Sequence, residues 1–246
     1  MPILELPGGV SLNYSDTGTG MPVLLIAPGG MRSAIEFWQR TPWNPIEQLS
    51  PHYRVIAMDQ RNAGASSGPV SEMDGWQTYL GDQLALLDAL GVKQFHVIGM
   101  CIGGPYALGL AQAEPARVAS AVLMQSIGLE GSGQGSNQAL FKEMFDGWAS
   151  ELKSQHDLSD AQWQRFRDNM FGGDDVLFNV DDAFMRSCDT PLLVFEGNDA
   201  YHPRDASLHI RTLARRVRYI EEWKEADKVP AAKSALETFL AANSGQ

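Results

Sequence analysis

The 246-residue chain has only two cysteines, Cys101 and Cys188. They are too few for a disulfide framework, and both read as reduced thiols. Cations are scarce as well: 19 Lys and Arg against 30 Asp and Glu leave a net charge of −11, with no basic cluster. A surface of that sign repels phosphate, which argues against nucleic acid or an anionic membrane as partner and for a small-molecule substrate or a protein. No apolar run approaches the ~20 residues of a membrane span. The opening MPILELPGGV has neither the basic start nor the apolar core of a signal peptide, so the expected compartment is the cytoplasm. No Cys-x-x-Cys or His-x-x-x-His pair offers ligands to a metal, and Gly99-Met-Cys-Ile-Gly-Gly lacks the Gly-x-Gly start of a dinucleotide loop. Neither metal nor cofactor is expected.

What the chain does have is alternation. Short runs rich in Val, Ile and Leu (Val23 to Ala27, Arg54 to Asp59, Phe95 to Gly99, Ala119 to Gln125, Pro191 to Glu196 and Val217 to Glu221) are separated by longer helical patterns. This is the signature of an α/β fold with a mainly parallel sheet covered on both faces. Residues 2–6 and 11–15, parted by Pro-Gly-Gly, read as an antiparallel edge hairpin and bring the strand count to eight. Helices with apolar residues at spacings of three and four are expected over Trp76 to Leu90, Ile102 to Ala113, Ala206 to Ala214 and Ala231 to Ala242. Residues 1–246 are expected to form one domain with a small helical cap inserted at about 129–188. That insertion opens with the Gly/Ser-rich stretch 131–136 and is crowded with aromatic residues, which fit packing onto the sheet better than lining a pocket.

Chemistry concentrates at Gly99-Met100-Cys101-Ile102-Gly103. A sharp strand-to-helix turn forces its central residue into a strained backbone conformation, and its neighbours must lack a Cβ for strand and helix to approach. The turn puts the Cys101 sulfur at a helix N-terminus, where unpaired N–H groups and the helix dipole favour thiolate over thiol.

With these residues the chain resembles the α/β-hydrolase superfamily over nearly its whole length. Val23-Leu-Leu-Ile-Ala-Pro-Gly-Gly30 is similar to the strand that normally ends in His-Gly, with Pro28 in place of the histidine. Asp59-Gln-Arg-Asn-Ala-Gly-Ala-Ser66 resembles Asp-x-Arg-Gly-x-Gly-x-Ser, with Asn62 at the first glycine. Residues 99–103 match the nucleophile elbow, with cysteine where serine is usual, as in dienelactone hydrolases. The resemblance implies oxyanion-hole N–H groups from Ile102 and from Gly30 or Met31. It implies a triad acid at Asp199, on Thr190-Pro-Leu-Leu-Val-Phe-Glu-Gly-Asn-Asp199, with Glu196 as the alternative.

The family order then calls for a histidine after the last strand, and none of the five histidines lies beyond His209. His52, His96, His156 and His209 fall in poorly placed elements. His202, three residues past Asp199, is the candidate base, with helix capping ahead of Pro203 as its structural alternative. A cysteine at a helix N-terminus is substantially ionised without a base, so a His-poor site remains chemically usable. The expected function is a cysteine-dependent hydrolase of a small ester, thioester or lactone through a Cys101 acyl-enzyme. The alternatives are a non-hydrolytic enzyme whose oxyanion hole holds an enolate-like intermediate, or a catalytically silent ligand binder. Arg61, Asn62 and Trp76 would contribute only if their loops reach the pocket, and Arg61 reads first as a structural ion pair.

Overall fold

The computed structural model describes residues 1–130 and 137–245; the Gly/Ser-rich stretch 131–136 lies outside the described residues. Its strands are β1 (Ile3–Leu6), β2 (Val10–Thr17), β3 (Pro22–Ile26), β4 (Arg54–Met58), β5 (Phe95–Met100), β6 (Val118–Met124), β7 (Leu192–Phe195) and β8 (Val217–Ile220). They form one eight-stranded sheet in the order β1-β2-β4-β3-β5-β6-β7-β8. The hairpin sits at the edge, antiparallel to itself and to β4, and every pairing from β4 to β8 is parallel. Each strand lies within two residues of its apolar run.

The strands are apolar throughout because both faces are covered, and successive residues serve opposite layers. Leu24, Ile26, Ala121 and Leu123 face a core shared with α2 (Trp76–Ala89), α3 (Gly103–Ala113) and α7 (Arg204–Leu213). Val23, Leu25, Val122 and Met124 face the other core, with Trp38, Leu49 of α1 (Pro45–Leu49), and Leu236 and Leu240 of α8 (Val229–Asn243). Helix α3 follows Cys101 directly and is buried from Gly103 to Ala111, which explains why its sequence is apolar on all sides.

Between β6 and β7 lie α4 (Gln138–Leu152), α5 (Asp160–Phe171) and α6 (Asp182–Ser187). Helix α5 begins with a capping box, in which the Ser159 hydroxyl accepts from the Gln162 N–H while the Gln162 amide oxygen accepts from the Ser159 N–H. Aromatic rings hold the group together: Phe145 meets Phe166 edge-on at 4.9 Å, and Phe141 stacks on Phe171 at 5.7 Å. Two indoles fasten it to the body, with Trp76 Nε1 donating to the Met170 carbonyl at 2.7 Å and Trp148 Nε1 to the Asn62 carbonyl at 3.1 Å. Trp76 is thus a docking residue, buried against Tyr106. The helices α1 and α6 are too short for periodicity to reveal, and their caps mark them instead. Asn44 accepts from the Ile46 N–H ahead of a Pro45 start, and Asp181 accepts from the Phe184 N–H.

The Asp59 motif is structural. The buried Asp59 carboxylate accepts from Asn13 Nδ2 at 2.7 Å, the Ile35 N–H at 2.8 Å and the Ala65 N–H at 2.9 Å, tying strand β2 to the segments that carry Ile35 and Ala65. Asn62 occupies the left-handed region at φ 61°, which asparagine tolerates better than most residues, so it replaces the motif's glycine without breaking the turn. Arg61 forms a two-bond ion pair with Asp82 of α2 at 2.6 and 2.9 Å. Because all three Asp59 donors are N–H groups, Asp59→Asn turns an acceptor toward them into a donor. The substitution is expected to lower unfolding free energy by about 2–3 kcal/mol in urea titration, and a loss under about 0.5 kcal/mol would refute this tying role.

Candidate active site

Cys101 adopts φ 60°, a left-handed conformation that is costly for a residue with a Cβ. The turn is held by the Cys101 N–H donating to the Met124 carbonyl at 3.1 Å and by the Ile127 N–H donating to the Cys101 carbonyl at 3.1 Å. A Cβ at Gly99 would lie 1.9 Å from the Gly103 carbonyl oxygen, and one at Gly103 would lie 2.5 Å from that of Ile26. Both glycines are therefore demanded by contact. The sulfur is presented at the C-terminal end of β5, above the start of α3.

The loop after β7 brings the next two groups. A Cβ at Gly197 would sit 2.3 Å from the His202 carbonyl oxygen, so residues 197–202 close into a tight turn only because position 197 is bare. Asp199 and His202 exchange backbone hydrogen bonds at 3.1 and 3.2 Å, while Asp199 Oδ1 accepts from the Tyr201 and His202 N–H groups at 3.0 Å each. The same carboxylate receives His202 Nδ1–H, at 2.8 and 2.9 Å to its two oxygens. A carboxylate can only accept, so Nδ1 carries a proton and Nε2 is the free end. Nε2 is buried and makes no hydrogen bond among the described residues; His202 shares a cavity with Cys101, and each group shifts the ionisation of the other.

Electrostatics couples the three groups. Burial opposes the imidazolium, but the Cys101 thiolate and the Asp199 carboxylate outweigh it and push His202 up to about 9. Burial likewise opposes the thiolate, but His202 and the backbone N–H groups of Gly29 and Ile102 bring Cys101 below the ordinary thiol value of 9.0. The hydrogen bond from His202 holds Asp199 down at about 2. The three groups thus favour one another's charged forms: His202 the Cys101 thiolate, the thiolate and Asp199 the imidazolium, and His202 the Asp199 carboxylate.

A cavity of about 310 Å³ opens at the pair, lined by Pro28, Gly29, Gly30, Ile127, Phe141, Met144 and Tyr201 beside Cys101 and His202. Among the residues singled out from sequence, Cys101 and His202 share the cavity with Asp199 bonded to the imidazole, the Ile102 N–H favours the thiolate, and Gly30 lines the wall. Met31 is fully buried in the core and forms no part of that wall. The Gly29 N–H also favours the thiolate, and Gly29 lines the cavity. Glu196 is occupied elsewhere, accepting from Tyr219 Oη at 2.6 Å and Arg204 Nε at 3.0 Å. Of the remaining histidines, His96 is buried between Ser120 and Ser244 and held down to about 4 by burial, and His209 pairs with Asp182. Cys188 is buried, and burial raises its thiol. The inserted helices supply Phe141 and Met144 to the cavity, so two of their apolar residues line a pocket while the indoles and other rings pack.

Residues 22–227 match the model of the alpha/beta hydrolase fold family. The chain belongs to that family. Among curated relatives it is 32% identical over 127 residues to a 2-hydroxy-6-oxo-2,4-heptadienoate hydrolase of Pseudomonas putida, a match covering 51% of this chain and 45% of the relative. The chain thus matches less than half the length of that relative. In overall structure this hydrolase-fold chain is similar to a meta-cleavage product hydrolase from Pseudomonas fluorescens, with TM-score 0.69, 22% identity and 96% of each chain covered. It is also similar to an enol-lactonase from Burkholderia xenovorans, with TM-score 0.69, 18% identity, and 98% of this chain and 100% of that one covered. At these identities the likeness is one of fold.

If the pair exists, alkylation of Cys101 by iodoacetamide should reach half its plateau rate at a pH below 9.0. His202→Ala removes the cation and should move that midpoint upward, while the buried Cys188 reacts slowly in both proteins. An identical midpoint in the two would show that thiol and imidazole do not sense each other.

Proposed function

We propose that the chain is a cysteine-dependent hydrolase of small esters, thioesters or lactones, acting through an acyl-enzyme on Cys101. The observation that carries this reading is that Cys101 and His202 line one cavity while Asp199, behind the imidazole, holds His202 Nδ1 at 2.8 Å. The relative's name describes hydrolysis of an oxo-dienoate. What this chain is taken to share with it is the reaction class.

The Cys101 thiolate adds to the substrate carbonyl carbon, and the C=O electron pair moves onto oxygen. The Ile102 and Gly29 N–H groups, which favour the thiolate at rest, are the donors taken to meet that developing charge, with Gly30 beside them. As the tetrahedral species collapses, the leaving oxygen or sulfur departs with its electron pair and takes the proton from His202 Nε2. This leaves a thioester on Cys101 and a neutral imidazole.

Acylation also prepares the second half. The thiolate contributes strongly to holding the imidazolium, and once the sulfur is acylated that contribution is gone. His202 then falls back toward an ordinary histidine, still oriented by Asp199, and can accept a proton from water as its oxygen attacks the thioester. Collapse expels the Cys101 thiolate, restores the ion pair and releases the acid.

The pH dependence follows in sign. Below the lowered Cys101 value the thiol is protonated and attack is lost; above about 9 the imidazolium is deprotonated and the leaving group has no acid. With p-nitrophenyl acetate, kcat/KM should form a bell whose alkaline limb lies near 9. Cys101→Ala should abolish p-nitrophenol release, and His202→Ala should lower turnover by roughly 10²–10⁴-fold while an acyl adduct accumulates on Cys101 in the intact mass. Release that persists in Cys101→Ala would end the nucleophile assignment. Absence of both release and adduct in the wild type would favour a non-hydrolytic or ligand-binding role.

A further inference from the structure

The cavity at Cys101 is defined by what its walls cannot do. Apart from the reacting pair, it is bounded by Pro28, Ile127, Phe141, Met144 and the ring of Tyr201, together with two glycines. No lysine or arginine lines it among the described residues. Two cations of the surrounding segments are paired, Arg32 with Glu151 at 2.7 Å and Arg204 with Glu196 at 3.0 Å, while Lys224, bonded to Asn198 Oδ1 at 2.8 Å, does not line the cavity. Of the described lining residues, only His202 can carry a positive charge, and the Asp199 carboxylate already stands against it.

An anion entering this space would leave water and find no counter-charge, a transfer that strongly disfavours binding. The chain's net charge of −11 adds a long-range term of the same sign. An uncharged hydrocarbon group meets the opposite situation, since it releases water from apolar walls. The space is also small, about 310 Å³, which suits a compact acyl group.

We propose that the site takes a short, uncharged, apolar acyl group and rejects acyl chains that end in a carboxylate, with Met144 of α4 setting this preference. Met144 is singled out by its position. Its sulfur would lie 2.5 Å from a Cβ on Gly30, so the side chain lies directly over the wall beside the nucleophile. A cation at this position would stand at the edge of the acyl-binding space.

The substrate-class proposal rests on the hydrolase reading, so its test has one arm that does not need turnover. The first arm compares p-nitrophenyl butyrate with p-nitrophenyl hemisuccinate, in which a carboxylate replaces the terminal methyl, after subtraction of spontaneous hydrolysis. The methyl ester of the hemisuccinate serves as a neutral control for length. Wild type should favour the butyrate in kcat/KM by at least about 100-fold, with the neutral methyl ester much closer to the butyrate than to the acid. In Met144→Arg the gap between butyrate and hemisuccinate should narrow at least about tenfold through a rise for the hemisuccinate. The second arm measures second-order labelling of Cys101 by N-ethylmaleimide and by N-carboxymethylmaleimide, which differ by the same replacement. The neutral reagent should react at least about tenfold faster with wild type, and Met144→Arg should reduce that ratio.

Equal or preferential handling of the carboxylate probes by wild type overturns the proposal in either arm. So does an unchanged ratio in a folded Met144→Arg protein, for the role given to Met144. If no ester is turned over, the hydrolase reading fails by itself, and the maleimide ratio decides whether the cavity excludes anions.

Discussion

The backbone at Cys101 constrains everything above it. A φ of 60° on a residue with a side chain costs on the order of 1–3 kcal/mol, and it survives because its surroundings allow no alternative. The strand hydrogen bond to Met124 fixes one side of the turn, the bond from Ile127 fixes the other, and Gly99 and Gly103 let α3 start immediately over β5. This geometry places the sulfur where the sheet ends and aims the first N–H groups of α3 toward it. A relaxed turn would leave the cysteine in the core with the hydrophobic neighbours that free thiols ordinarily keep.

From that point the site is a balance between burial and pairing. Burial alone would make the Cys101 thiol harder to ionise and His202 harder to protonate, and each group offsets that cost for the other. Backbone N–H groups act on the thiol in the same direction, and the low polarity of the cavity strengthens every interaction within it. The same surroundings that sustain the pair leave nothing over for a third charge. Nucleophile activation and the apolar character of the pocket are therefore two aspects of one electrostatic arrangement.

The sheet, its edge hairpin and the elbow were legible in the sequence because each is encoded locally, by apolar runs of strand length and by glycines at fixed offsets from Cys101. His202 was visible only as the histidine nearest to Asp199. Its delivery to the sulfur depends on Gly197 having no Cβ and on the reciprocal backbone bonds between Asp199 and His202, and neither is a pattern in the sequence. Gly29 escaped notice because a backbone N–H has no side-chain signature, whereas Met31, two residues on in sequence, is buried in the core. Phe141 and Met144 could not be told from the packing residues of the inserted helices, since an apolar side chain looks the same in sequence whether it meets a neighbour or an open cavity.

The placement of acid and base on one loop changes what holds the site together. In the arrangement that the resemblance implies, the histidine comes from the loop after β8. Here that loop carries Trp223 and Lys224, and both act as buttresses. Trp223 Nε1 donates to the Glu196 carbonyl at 2.8 Å, and Lys224 Nζ donates to Asn198 Oδ1 at 2.8 Å. These contacts brace the β7 loop on both sides of Gly197, so the loop after β8 steadies the turn that carries Asp199 and His202. Because Asp199 orients His202 through backbone and side-chain bonds at once, the imidazole has little freedom to swing away from the sulfur. Its orientation is set by one turn of six residues, 197–202, and not by the docking of two separate loops.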